Sequence, residues 1–162
     1  MFYCFGSVIY RFLENSHIKS RERKFKRRYS LDKSFDCKRI NVHFYGKGDI
    51  IGGKNSYVGH QTAIQVASGC YVRIGENVRI SHNVRMYTTS TNTDQDFNCL
   101  PLNSYSGNIE IGNGVWIGAN VLILPNVKIG NNVAVGANSV VVRDIPDNTV
   151  YGGVPAKFIK NK

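Results

Sequence analysis

Two histidines of this chain stand where an imidazole could accept a proton. His60 lies in the segment VGHQTA and His82 in ISHNVR, each at the third place of a six-residue unit. An imidazole with its ordinary pKa of about 6.5 suits a general base at neutral pH. A carboxylate that binds one ring nitrogen fixes the tautomer and raises the basicity of the other. Asp94 and Asp96 follow His82 in the sequence and are our candidates for that carboxylate.

The other histidines and the cysteines do not predict a metal centre. Zinc needs three or four converging ligands, and the sequence has neither a CxxC nor an HxxxxH pair. The cysteines are Cys4, Cys37, Cys70 and Cys99, spaced 29 to 33 residues apart. We predict reduced thiols in a cytoplasmic protein that requires no metal. His17 is interpreted as a surface residue and His43 as a structural one.

A six-residue repeat must position these side chains. From residue 74 the chain reads IGENVR, ISHNVR, and from residue 111 IGNGVW, IGANVL, ILPNVK, IGNNVA, VGANSV. An aliphatic residue opens each unit and Val or Ser usually fills its fifth place, whereas Gly and Asn occupy the turn positions. This period fits neither an amphipathic helix nor an alternating strand. It predicts a solenoid of short parallel strands, spaced about 4.8 Å apart, whose first and fifth residues point inward.

The C-terminal part of the repeat resembles the hexapeptide-repeat acyltransferases, in particular the sugar and polysaccharide O-acetyltransferases. The resemblance covers about residues 50–160, and IPDN at 145–148 and GGVPAK at 152–157 are its most specific segments. It implies an all-β fold, a left-handed parallel β-helix. It also implies a homotrimer and acetyl transfer from acetyl-CoA to a hydroxyl of a sugar in bacterial surface polysaccharide or its precursor.

The repeat is interrupted from about residue 87 to residue 108, and insertions of this kind often build sites. In the resembling family this loop folds over the cleft between two subunits and carries the catalytic histidine. At the matching place, 24 residues before Trp116, this chain has Asn92. A neutral amide cannot act as a general base.

Three interpretations of this departure stay open: another histidine is the base, a loop carboxylate is the base, or the protein does not catalyse. We favour His82 as the base, with Asp94 or Asp96 as its partner. His60, Gln61 and Asn92 are predicted on the acceptor side, because Gln61 matches the position that contacts the acceptor sugar in the family.

The resemblance also implies where acetyl-CoA binds along the solenoid wall. Backbone amides at Ala119 and Ala137 would meet the pantetheine arm and the thioester, because small side chains let a ligand approach the backbone. The other implied cofactor-binding residues are Trp116, Val142, Arg143, Lys157 and Lys160. The lysines would face the CoA phosphates as point charges.

Residues 1–39 lie outside the repeat and hold 11 of the 21 Lys and Arg residues of a 162-residue chain whose net charge is +10. Apolar residues at helical spacing are Phe2, Phe5, Val8, Ile9, Phe12 and Leu13. We expect one or two helices that either pack on the solenoid or bind an anionic membrane surface through residues 1–30. The apolar stretch is shorter than the roughly 20 residues of a membrane span.

The predicted organisation is a basic, partly amphipathic helical segment at residues 1–39 and a β-helix at residues 40–162, with a C-terminal tail at 147–162.

Rival functions are an inactive trimeric scaffold and an N-acetyltransferase of an aminosugar. A γ-class carbonic anhydrase shares the fold but needs three histidines on zinc. Nucleic-acid binding is not expected, because interleaved aromatics and a recognised module are missing.

Overall fold

The computed structural model describes the backbone of residues 2–162 and the side chains of residues 9–162. In this part of the chain, helix α1 spans Phe2–Arg28 and precedes eighteen strands. The strands are β1 (Ser30–Leu31), β2 (His43–Gly46), β3 (Asp49–Gly52), β4 (Tyr57–Val58), β5 (Ala63–Val66), β6 (Tyr71–Ile74), β7 (Arg79–Ile80), β8 (Arg85–Tyr87), β9 (Thr89–Thr91), β10 (Ser104–Ser106), β11 (Ile109–Ile111), β12 (Trp116–Ile117), β13 (Leu122–Ile123), β14 (Val127–Ile129), β15 (Ala134–Val135), β16 (Val140–Val141), β17 (Thr149–Gly152) and β18 (Lys157–Asn161).

Three sheets form the faces of a parallel β-helix of about five turns. Sheet A contains β1, β3, β6, β11 and β14; sheet B contains β4, β7, β12, β15, β17 and β18; sheet C contains β2, β5, β8, β13 and β16. The chain passes through the three sheets in turn, so each strand pairs in parallel with the strand one coil later. Ile109, for example, pairs with Val127.

The first and fifth residues of the hexads fill the interior, which confirms the prediction from the repeat. Ile111, Val115, Ile117 and Val121 are at most 2% exposed. Their branched side chains favour the extended backbone and pack against the same positions of adjacent coils. Burial of each such side chain contributes about 1.5–3 kcal/mol.

Most corners of the solenoid contain a residue with positive φ, and asparagine usually supplies it because its short polar side chain tolerates this conformation. At the corner between sheets B and C, the B–C corner, these residues are Asn41, Gln61, Asn83, Asn120 and Asn138. Asn120 accepts a side-chain hydrogen bond from Asn83 at 2.9 Å and donates one to Asn138 at 3.0 Å. The corners therefore stack in register, and the residue just before each asparagine falls at the same corner of every coil.

Helix α1 covers the first coil. Phe25 stacks on Phe44 with ring centroids 4.5 Å apart, and Tyr29 packs edge-on against the same ring. A terminal cap of this kind keeps water from the end of the core. The solenoid starts earlier than the expected residue 40, because β1 already pairs with β3. The predicted N-terminal helical segment is a single helix; the side chains of Phe2, Phe5 and Val8 lie outside the described residues.

The interruption of the repeat is a hairpin at the corner between sheets C and A, the C–A corner. Strands β9 and β10 pair antiparallel. The Gly107 N–H donates to the backbone carbonyl oxygen of Thr88 at 2.9 Å and closes the base of the hairpin. At the other end of the solenoid, β18 folds back antiparallel on β17. No helix in the described part of the chain is long and apolar enough to cross a membrane.

Candidate active site

The B–C corner stacks His60 and His82 in successive coils, with ring centroids 5.3 Å apart. Nδ1 of His82 accepts the backbone N–H of His60 at 3.1 Å. Nδ1 of His60 accepts the backbone N–H of Ile40 at the same distance. Each ring therefore caps the backbone donor of the coil before it.

These hydrogen bonds fix the tautomer of both rings. Because Nδ1 is the acceptor, a neutral ring carries its proton on Nε2 and offers that proton as a hydrogen-bond donor. Nε2 of His82 can become a base only after the proton has moved to Nδ1, which requires release of the His60 N–H. Burial, together with the positive charges of His82 and Arg39, lowers the pKa of His60 below its ordinary value and favours the neutral ring.

The column of caps ends at His82. The residues at the same corner in the next two coils are Ala119 and Ala137, whose side chains cannot accept a hydrogen bond. The backbone N–H groups of His82, Ala119 and Ala137 consequently have no hydrogen-bond acceptor within the described residues. Three donors in a row remain available to a ligand.

The corner between sheets A and B, the A–B corner, differs at the same positions. The backbone N–H groups of Glu76, Asn113 and Asn131 donate to the side chains of Asn113, Asn131 and Asp147, at 2.8, 2.8 and 2.7 Å. Two such bonds also occur at the C–A corner, where Tyr71 donates to Asn108 and Lys128 to Asp144. The A–B corner thus caps its middle three donors and leaves only its end donors, Lys54 and Asp147, without an acceptor in the described structure, whereas the B–C corner leaves three successive donors open.

Small residues keep the B–C corner open. A Cβ on Gly118 would lie 2.5 Å from the backbone nitrogen of Ala137, so only glycine permits this approach of the coils. Trp116 opens β12 on the outer face of sheet B, 47% exposed, and lies between Arg79 and Ala134 in the register.

The remaining predicted cofactor-binding residues lie toward the C-terminal end of the solenoid. Lys157 and Lys160 are on the edge strand β18, and Val142 and Arg143 follow β16. All four are exposed. Neither lysine nor Arg143 pairs with a carboxylate in the described structure. Lys157 and Lys160 thus lie on the strand that ends sheet B, one coil beyond Ala137, whereas Arg143 lies past sheet C at the C–A corner.

The hairpin carries Asn92, Asp94 and Asp96 away from His82, because it leaves the solenoid at a different corner. Asn92 Oδ1 accepts the backbone N–H of Asp94 at 3.1 Å. Hydrogen bonds from the backbone and side chain of Asn98 lower the pKa of Asp96 below its usual value. Within the described chain, no hydrogen bond joins His82 to either aspartate, so the predicted pair does not form inside one chain. The catalytic roles of these residues stay predictions.

Known proteins with the same repeat identify the family. The bacterial transferase hexapeptide family (six repeats) matches residues 108–143. A galactoside O-acetyltransferase of Escherichia coli K12 is 34% identical over 74% of this chain and 57% of its own length. A galactoside acetyltransferase solved in complex with coenzyme A is 31% identical, with a TM-score of 0.75 over 93% of this chain and 76% of its own. The chain belongs to the hexapeptide-repeat acyltransferases.

This membership shows the left-handed parallel β-helix that the resemblance implied. Another solved member is AntD, an N-acyltransferase from Bacillus cereus in complex with dTDP and coenzyme A. It is 25% identical, with a TM-score of 0.66 over 83% of this chain and 78% of that one. Our chain spans a little over half of the length of the first curated relatives that it matches.

A groove that the sequence did not reveal continues the B–C corner toward the first coils of this acyltransferase fold. It has a volume of about 320 Å³ and is lined by Asn41, His43, Gln61, Asn83 and Arg85. Arg85 Nη1 donates to the backbone carbonyl oxygen of Gln61 at 2.8 Å, and no carboxylate lines the groove. The signal for Arg85 was its place at the end of ISHNVR, an outward position in a strand.

Proposed function

We propose that this chain transfers an acetyl group from acetyl-CoA to a hydroxyl of a sugar, in a bacterial surface polysaccharide or its precursor. The observation that carries the proposal is the column of free backbone N–H groups at His82, Ala119 and Ala137. The pantetheine arm of CoA presents amide carbonyls and a thioester carbonyl, which are the acceptors that such a column needs. The galactoside acetyltransferase of similar structure was solved with coenzyme A.

Exposed cations in the last coils support the binding of CoA phosphates at this end of the solenoid. Arg143, Lys157 and Lys160 are exposed and would meet the CoA phosphates. Trp116 would flank the pantetheine arm with its exposed ring. The groove with Gln61 and Arg85 would hold the acceptor, with the thioester between the two sites near His82.

In the proposed reaction the hydroxyl oxygen attacks the thioester carbonyl carbon. Its proton passes to a base, the C–S bond breaks, and the CoA thiolate leaves and takes up the proton. The Ala119 N–H would stabilise the negative charge that develops on the carbonyl oxygen. His82 is the proposed base, after its own proton has moved to Nδ1. A positioned base contributes about 10²–10⁴-fold.

The tautomer of His82 favours a second candidate, N-acylation of an aminosugar. A neutral amine attacks with its own lone pair and does not need to lose a proton first. Nε2–H of His82 would then donate a hydrogen bond to the reacting carbonyl and would not accept a proton. AntD, which is 25% identical and similar in structure, is an N-acyltransferase.

The hairpin position supports a homotrimer as the active form. One chain presents its free amides at the B–C corner and its hairpin at the C–A corner, so the hairpin of a second copy would have to cover the amides. Light scattering in solution should give three times the chain mass. A monomer that transfers acetyl at full rate would contradict this part of the proposal. Because acetyl-CoA is a cytoplasmic metabolite, the proposal also places the protein in the cytoplasm.

Isothermal titration with CoA tests the proposal directly. We expect a saturable site, which Arg143→Ala combined with Lys157→Ala should weaken, more at low salt than at high salt. Lys47→Ala combined with Lys54→Ala removes two exposed cations elsewhere and is the matched control. Absence of binding at millimolar CoA would reject the site.

Mass spectrometry of sugar and aminosugar acceptors after incubation with acetyl-CoA then separates the candidate functions. An O-acetylated product supports the first candidate and an N-acetylated product the second. A protein that binds CoA but neither transfers acetyl nor hydrolyses acetyl-CoA slowly would be a trimeric scaffold.

A further inference from the structure

The first half of α1 presents large apolar side chains that the rest of the protein leaves uncovered. Tyr10, Phe12 and Leu13 are 66%, 72% and 61% exposed, and Ile9 is 48% exposed. Among the side chains of α1 that the structure describes, from residue 9 onward, the buried aromatic anchor on the solenoid is Phe25 in the second half, which is 6% exposed. Leu100, Val154 and Ile159 are also exposed elsewhere, but these four residues of α1 lie within five consecutive positions of one helix, and an exposed apolar cluster of this kind marks an interaction surface.

The second half of α1 carries a stripe of basic residues. Arg23, Lys24 and Arg27 line one side of it together with Ser20. None of these three cations has a carboxylate partner within the described residues. The acidic Glu22 pairs instead with Lys26 and Lys38, and its side chain is only 12% exposed.

Ile9, Phe12 and Leu13 lie on the same side of the helix as the basic stripe, whereas Tyr10 lies about 100° from Arg27 around the axis. Ile9 and Arg27 are separated by five turns, and Phe12 and Arg23 by about three turns, at about 3.6 residues per turn. Phe25 lies about 200° from Arg27 around the axis. One side of α1 is thus fixed to the solenoid, whereas the other offers an apolar half followed by a basic half.

We propose that this outward side of α1 docks the protein on an anionic phospholipid membrane. The apolar half enters the interface between headgroups and acyl chains, and the basic half lies on the negative headgroups. At about 1.5 Å per residue, α1 is roughly 40 Å long and lies in the membrane plane. No described helix is apolar enough to span a bilayer, which agrees with a surface position.

Charge decides between a membrane and a second copy of the chain as the occupant. Between Lys19 and Arg28 the helix has seven basic residues and one acidic residue, Glu22. Two copies that paired along the outward sides in parallel would bring the basic halves together, and the like charges would repel. An anionic lipid surface attracts both halves. This inference is independent of the proposed acetyl transfer.

Vesicle flotation of the full chain tests the proposal. We expect binding to vesicles of phosphatidylcholine with phosphatidylglycerol, little binding to phosphatidylcholine alone, and release at 0.5 M NaCl. Arg23→Gln combined with Arg27→Gln should weaken binding about 25-fold, since each basic residue near such a surface contributes about fivefold. Lys47→Gln combined with Lys54→Gln is the matched control and should bind as the wild type does.

Phe12→Ser combined with Leu13→Ser should lower binding at least about tenfold, because the apolar insertion is lost. Both residues are exposed, so the circular dichroism spectrum and melting temperature should not change. Leu100→Ser, which alters a leucine that is 80% exposed on the hairpin, is the control.

Three results would overturn the proposal. One is the absence of wild-type binding to anionic vesicles at physiological salt. Another is equal binding of the Phe12→Ser, Leu13→Ser variant and the wild type. The third is an oligomer that these substitutions dissociate in sedimentation equilibrium, without vesicle binding, which would make a second copy the occupant.

Discussion

At the A–B corner, the backbone N–H groups of Glu76, Asn113 and Asn131 each donate to a side chain one coil later. At the B–C corner, the N–H groups of His82, Ala119 and Ala137 find no such acceptor in the described structure. Both corners are made by hexads of the same repeat and have a positive-φ residue directly after the donor position. At the donor position, the A–B corner carries Asn or Asp side chains that accept a hydrogen bond, whereas the later coils of the B–C corner carry alanine.

In our proposal, this difference separates a structural corner from a CoA-binding corner on one scaffold. A donor that is capped from within contributes about 0.5–1.5 kcal/mol to stability, whereas a donor left free is available to a ligand. His60 and His82 mark the boundary, because they cap the first coils of the B–C corner and leave the later coils open. The comparison predicts that exchanging side chains between the corners exchanges their properties.

The largest effect is expected from His82→Asn. The Asn side chain can still accept the His60 N–H, as asparagines do at the A–B corner, but it lacks the imidazole. If His82 is the base, kcat for O-acetyl transfer should fall by about 10²–10⁴-fold while CoA affinity stays nearly unchanged. Steady-state kinetics with a sugar and an aminosugar measure both reactions.

The rate at which His82→Asn acetylates the aminosugar tests the assignment of His82 as the base. Largely retained N-acetylation together with lost O-acetylation would confirm that His82 acts on the hydroxyl proton. Full O-acetylation by His82→Asn would contradict the base assignment. If His60→Asn is then the inactive variant, the two histidines have the opposite roles.

Side chains that cap the free N–H groups of the B–C corner should remove most of its affinity for CoA. Ala119→Asn supplies a cap for the His82 N–H, and Ala137→Asn supplies one for the Ala119 N–H. Together they should weaken CoA binding about 10- to 100-fold, since two hydrogen bonds to the ligand are lost. Titration calorimetry measures the change. Unaltered affinity in a folded double variant would show that CoA does not use these amides.

The reverse change at the structural corner should affect stability only. Asn131→Ala removes the cap of Asn113 and should lower the free energy of unfolding by about 1 kcal/mol. Urea denaturation measures this, and CoA affinity should remain that of the wild type. If Asn131→Ala lost as much CoA affinity as the Ala119→Asn, Ala137→Asn variant, the proposed difference between the two corners would be wrong.

The smallest expected effect is on the stability of the fold at acidic pH. Because burial and nearby positive charges lower the pKa of His60 in the folded chain, the unfolded chain binds more protons below about pH 6.5. The contribution of the neutral His60 ring to the free energy of unfolding is therefore fully present above that pH and is lost as the pH falls below it. The melting temperature of His60→Asn should fall less between pH 7.5 and pH 5.5 than that of the wild type.

His17→Asn, which changes a solvent-exposed histidine, is the control and should follow the wild type. An equal fall in the melting temperatures of His60→Asn and the wild type would mean that the His60 cap does not sense pH.

Much of the solenoid could be predicted from the sequence because its determinants are local. Six-residue spacing decides which residues point inward, and Ile117 and Val121 are buried as the repeat predicted. The positions of Ala119 and Ala137 as small residues before an asparagine are equally visible in the sequence. The solenoid begins at β1, before the boundary that we expected at residue 39. The sequence did not reveal this strand because it contains only two residues and no hexad.

The sequence by itself thus determined the repeat, the inward residues and the identity of the side chains at each corner. The tertiary structure alone decided which corner each of them occupies, because the insertion at residues 87–108 and the unequal early coils shift the register. It also decided the tautomer of His82, since the N–H that its Nδ1 accepts belongs to His60, one coil away. Likewise, the packing of Phe25 on Phe44 settled which side of α1 faces outward. Contacts between coils depend on how the whole chain closes on itself, and local spacing does not contain that information.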